Sequence, residues 1–144
     1  MKRLVLLLAL LSCASAPYRP FRAPWQGAAE YHELLMCAAR HQYGHEAAET
    51  FRNTVEVVVV QDLVYLGLTH NTQIRIRGSL SKVKREAVLR HESVHWFQHY
   101  RTDEWTYYPA CSAKSEHPDK DFIQAEYEFN AAFNGCSKEA SGTR

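Results

Sequence analysis

Residues 91–95 read His91-Glu92-Ser93-Val94-His95, two imidazoles four positions apart with a carboxylate beside the first. Four residues turn an α-helix through about 400°, so on a helix His91 and His95 stand one turn apart on nearly the same face. From there both imidazoles reach one ion at about 2.0–2.1 Å, the usual Zn–N distance. Glu92 projects about 100° further round. It is placed to take a proton from a water beside that ion rather than to ligate it, which is the logic of an HExxH motif.

A catalytic zinc takes three protein ligands and keeps a fourth position open. One source of the third ligand is a histidine six residues after the second, with a glycine halfway. Gln98 and Arg101 stand at those positions, which closes that route. The other source is a carboxylate on a second helix. The segment Gln124-Ala125-Glu126-Tyr127-Glu128-Phe129-Asn130-Ala131 offers two, Glu126 and Glu128.

On these two motifs the chain resembles the gluzincin zinc metallopeptidases, and more narrowly their minimal single-domain (minigluzincin-like) members. The resemblance covers about residues 54–134. In that clan the ligand glutamate is followed one turn later by Asp or Asn. Asn130 follows Glu126 at that spacing, whereas Ala132 follows Glu128. The resemblance therefore implies Glu126 as third ligand of one Zn2+, with Asn130 accepting a hydrogen bond from an imidazole N–H, that of His91. It implies an α+β, zincin-like fold: a small, mostly antiparallel sheet, an active-site helix and a second helix bearing the carboxylate. It also implies that the strand just before the first motif, at 73–77, is the sheet edge along which an extended substrate lies. Larger gluzincins add a C-terminal domain; here about ten residues follow the second motif.

The implied activity is hydrolysis of peptide bonds, with Glu92 carrying the proton from the water to the leaving amine. A donor must also steady the tetrahedral oxyanion. Candidates are His99, one further turn along the ligand face, and Tyr107, Tyr108 and His117 in the loop that follows. Two other functions fit the same residues: a zinc-binding module that recognises a partner without cleaving it, and a secreted toxin-type protease with one dedicated target. Glu92 weighs against the first, because a structural metal site has no use for a base that is not a ligand.

The elements that position these residues show as periodicity. Ser81 to Arg101 contains no Gly or Pro and is rich in helix formers, which predicts the helix that the first motif needs. Asp119 is a natural N-cap for a second helix to about Asn134, with Gly135 as its stop. Upstream, Ala28 to His41 carries apolar residues at helical spacing, Gly44 interrupts it, and a short turn runs to about Thr50. Thr54 to Val60 and Leu63 to Leu68 read as strands. His70-Asn71-Thr72 reads as a turn. Gln73-Ile74-Arg75-Ile76-Arg77 alternates polar and apolar, as in a sheet covered on one face. Residues 102–118 read as a loop. Trp96 and Phe97 read as packing, and His41 and His45 as surface. His32-Glu33 begins like a second motif, but Met36 holds its last position.

The first 16 residues read as an export signal: a basic Met1-Lys2-Arg3, an apolar Leu4 to Leu11, and Ala14-Ser15-Ala16 as a cleavage site. Leu10-Leu11-Ser12-Cys13 also fits a lipobox, which would anchor the chain through Cys13. Residues 17–27 read as an irregular arm and 28–144 as a single catalytic domain. Without residues 1–16 the chain carries 15 basic and 16 acidic residues and no basic stripe, so neither nucleic acid nor an anionic membrane is expected as partner. The expected state is an exported monomer, with no transmembrane span, acting on a peptide or protein. Three cysteines remain after cleavage, and the expected pair is Cys111–Cys136, with Cys37 a small buried residue.

Overall fold

The structure, a computed structural model, describes Trp25 and residues 28–70, 72–102 and 120–142. The signal segment, most of the arm, and Tyr107, Tyr108, Cys111, His117 and Asp119 lie outside the described residues. Helix α1 (Ala28–Tyr43) forms where the apolar spacing predicts it, and buries Tyr31, Leu35, Met36, Ala38 and Ala39. It stops at Gly44, whose φ of 90° lies in the left-handed region that glycine adopts without steric cost. Helix α2 (His45–Thr54) is ten residues long, more than the short turn expected, because Ala47, Ala48 and Phe51 give it a stripe to bury.

Strands β1 (Glu56–Val60), β2 (Gly67–His70) and β3 (Gln73–Arg77) make one sheet in the order β1-β3-β2. The sheet is mixed rather than mostly antiparallel: β1 runs parallel to β3 and β2 antiparallel to it. The second strand begins four residues later than the apolar run at Leu63 suggests. Arg77 explains the delay. Its guanidinium donates to the carbonyl oxygens of Leu63 and Tyr65 at 2.8 and 3.0 Å, and also to that of Val64, so these carbonyls are held in a loop instead of a ladder. In β3, Ile74 and Ile76 are fully buried and Arg75 is exposed, the one-sided burial that the alternation predicts. That strand is nevertheless the centre of the sheet and not its edge. Among the described residues the strands with an outer edge are β1 and β2.

Helix α3 (Lys82–Thr102) lies between the sheet and the other helices, touching β2 and β3 on one side and α1, α2 and α4 on the other. Around its middle it buries Leu89, Glu92, Ser93, Val94, Trp96 and Phe97, which span a little over half of its circumference. Trp96 and Phe97 pack as expected. The rings of Phe97 and Tyr43 are stacked 4.4 Å apart, and Phe51 meets Trp96 edge-on at 5.1 Å. Each such buried ring contributes about 2–3 kcal/mol.

Helix α4 (Lys120–Ser141) does not end at Asn134; it carries on through Gly135 to Gly142, where φ is +69°. The reason is Cys136. It sits on the buried stripe of α4 and is bonded to Cys37 of α1, with a Cα–Cα distance of 6.2 Å. Keeping that residue against α1 outweighs the cost of a glycine inside a helix, about 1 kcal/mol. The pairing also corrects the expectation of Cys111–Cys136. Cys37 is a disulfide half-cystine and not a free buried thiol.

Candidate functional site

The HExxH pentapeptide lies within α3, so the spacing acts as the geometry requires. The rings of His91 and His95 are 5.0 Å apart, centroid to centroid, nearly perpendicular. Phe122 of α4, fully buried, holds both: it stacks on His95 at 4.0 Å and meets His91 edge-on at 5.0 Å. Sequence reasoning missed this residue, since an apolar side chain carries no signal of chemistry.

Of the two candidate carboxylates, the structure brings Glu126 to the motif. Its Oε1 lies 2.6 Å from Nδ1 of His91, and its side chain remains 32% exposed. Glu128 points elsewhere, accepting from Gln124 Nε2 at 2.8 Å and Gln42 Nε2 at 3.4 Å. Helical phase is the cause. Phe122, Phe129, Phe133 and Cys136 form the buried stripe of α4. Glu126 is one turn after Phe122 and falls in that stripe, whereas Glu128 is turned about 200° further round. A carboxylate placed inside an apolar stripe was a signal available in the sequence. Asn130 is half-buried on α4 and makes no side-chain hydrogen bond among the described residues. The Nδ1 of His91 meets Glu126. His99 is half-buried one turn beyond His95.

Glu92 is 2% exposed. Its Oε2 lies 2.7 Å from the hydroxyl of Thr69 on β2, while its Oε1 is buried and has no hydrogen-bond partner among the described residues. Burial pushes its carboxyl above the usual carboxylate range. The Thr69 hydroxyl and the neighbouring His91 oppose that rise, and the charge of Glu126 adds to it. A buried carboxyl held above the ordinary carboxylate range, next to two imidazoles and a second carboxylate, suits a group that accepts and returns a proton.

Two imidazoles and a carboxylate from two packed helices are a donor set that suits zinc. The His91–Glu126 contact is a hydrogen bond, which keeps the carboxylate beside the motif. The donor atoms of His91, His95 and Glu126 are not gathered within 4.8 Å of one another; among the described residues, the group whose donor atoms all are is Cys37, His41 and Cys136. Its sulfurs are bonded to each other and are not thiolates, so only His41 is left to donate. His41 and His45 are exposed, as expected. His32 is buried on α1, and Glu33 pairs with Arg52 at 3.2 Å, so that partial motif has no site. A cleft of about 530 Å³ runs along β1 and is lined by Val57, Val58, Val59, Gln61, Glu56 and Arg85; no predicted site residue lines it.

No protein-family model, curated protein or solved structure matches the chain. The site's geometry is therefore the ground for its function.

Proposed function

We propose that the chain is an exported, zinc-dependent metallopeptidase of gluzincin type that hydrolyses peptide bonds in a peptide or protein substrate. The observation that carries this reading is the contact of Glu126 Oε1 with His91 Nδ1 at 2.6 Å, which brings a distant carboxylate to the HExxH helix. His91, His95 and Glu126 would hold the ion. A bound zinc supplies a polarised scissile carbonyl and a more acidic water. Glu92 would take a proton from the attacking water and return it to the leaving amine nitrogen. Its dry surroundings raise its proton affinity.

The substrate strand runs along β2. The strand expected to receive it, β3, is paired on both sides, whereas β2 is a sheet edge and packs against α3. Backbone groups on an outer edge accept an added strand. The disulfide agrees with export. Among the described residues no helix is long and apolar enough to cross a membrane.

A zinc-binding module without activity is the competing reading. The burial of Glu92 weighs against it, because a module gains nothing from a desolvated carboxyl beside its metal. The test is metal analysis of the purified mature protein, with a peptidase assay reversed by chelator and restored by zinc. Glu92→Gln should keep the metal and lose about 10²–10⁴ in rate. A wild type that binds zinc and cleaves nothing in broad peptide libraries would favour the module.

A further inference from the structure

Glu92 is held by a strand as well as by its own helix. Residues 67 and 69 lie on the same side of β2, because side chains in a strand alternate. Both face α3. The Thr69 hydroxyl lies 2.7 Å from Glu92 Oε2 and 2.9 Å from the Glu92 carbonyl oxygen. The hydroxyl proton lies between the two oxygens, closer to the carboxylate. Gly67 is the other half of the cradle. A Cβ there would stand 2.6 Å from Glu92 Oε1, 2.7 Å from Glu92 Cγ and 2.5 Å from Val88 Cγ1. Atoms do not approach that closely, so any side chain at 67 would drive the carboxylate out of its seat. A glycine inside a strand marks such a close approach.

We infer that Thr69 is a positioning residue for Glu92 and that Gly67 makes the space in which Thr69 can hold it. The inference rests on the proposed peptidase function, in which Glu92 is the base. One carboxylate oxygen is tied to the strand. The other, Oε1, has no partner among the described residues and keeps its lone pairs for the proton of the water. The same strand whose outer edge receives the substrate therefore fixes the base on its inner face. Register between peptide and base is set within four residues, Gly67–His70. Oriented groups of this kind matter because misplacement by about 1 Å costs on the order of 100-fold in rate.

The test compares wild type, Thr69→Val, Thr69→Ser and Gly67→Ala as zinc-loaded full-length mature proteins. Thr69→Val should keep its zinc and its KM within about twofold and lose about 10–100-fold in kcat. Thr69→Ser, which restores the hydroxyl, should recover most of that loss. In a Glu92→Gln background Thr69→Val should change kcat no further, since no base remains to be held. Glutamate labelled with ¹³C at the side-chain carboxyl gives a readout independent of turnover: the Glu92 signal should move in Thr69→Val and return in Thr69→Ser. If Thr69→Val does not fold, Gly67→Ala and Thr69→Ala take its place with the same expectations for kcat. An active wild type whose folded Thr69 variants keep full kcat, or for which Thr69→Ser is as damaged as Thr69→Val, overturns the inference alone. A wild type that hydrolyses nothing overturns the function beneath it, and the carboxyl signal then still reports whether the tether exists.

Discussion

The sulfur of Cys37 on α1 is bonded to that of Cys136 on α4, 99 residues later in the chain. The bond joins two helices that pack along each other and between them carry Tyr31, Phe129 and Phe133 into the core. A crosslink closing so long a loop removes much of the freedom of the unfolded chain, worth about 3–5 kcal/mol. Reduction, or Cys37→Ser, should lower stability by that amount in urea unfolding. Thiol titration of the unfolded, unreduced mature chain should find one free thiol, Cys111.

The two glutamates of α4 should separate cleanly. Glu126→Gln removes a proposed ligand and should weaken zinc binding by more than the roughly 10–100-fold that loss of an outer-shell partner costs. Glu128→Gln only exchanges one surface hydrogen bond for another and should leave the zinc affinity of the wild type. Competitive titration with a zinc chelator reads both. Equal losses would deny Glu126 its place.

Two tyrosines packed on the core, Tyr31 buried and Tyr43 half-buried, predict opposite effects of the same substitution. The Tyr43 hydroxyl is buried with no hydrogen-bond partner among the described residues, and its ring stacks on Phe97. Tyr43→Phe keeps the ring and removes a desolvated hydroxyl, so stability should hold or rise by up to about 1 kcal/mol. Tyr31 donates its hydroxyl to the carbonyl oxygen of Glu86, tying α1 to α3. Tyr31→Phe breaks that bond and should cost about 1 kcal/mol. Thermal melts of the two variants decide the signs.

Burial pushes both phenols well above the ordinary tyrosine range; Arg90 beside Tyr31 and Arg101 near Tyr43 offset only part of it. In the unfolded chain the same groups ionise at about pH 10. Above that pH the unfolded state binds fewer protons than the folded one, so stability falls as pH rises. Below it these residues contribute no pH dependence. Stability measured between neutral and strongly alkaline pH should show that fall, and Tyr43→Phe should make it shallower.

What the sequence by itself determined is local. Helix-forming residues without Gly or Pro put His91, Glu92 and His95 on one helix, and their spacing then set which faces they share. The alternation in 73–77 announced a strand with one buried side, and Ile74 and Ile76 are buried as it required. Periodicity carries this information because it concerns neighbours within a few residues. Tertiary structure decided what depends on how elements meet. It placed β3 in the middle of the sheet, brought Glu126 of α4 to His91 of α3, and paired Cys37 with Cys136. It also set Gly67 and Thr69 of β2 against Glu92. None of these relations lies within one element. Each follows from the one arrangement in which the apolar stripes of α1, α3 and α4 and the inner face of the sheet are buried together, and propensity cannot rank such arrangements because the contacts that do so are long-range.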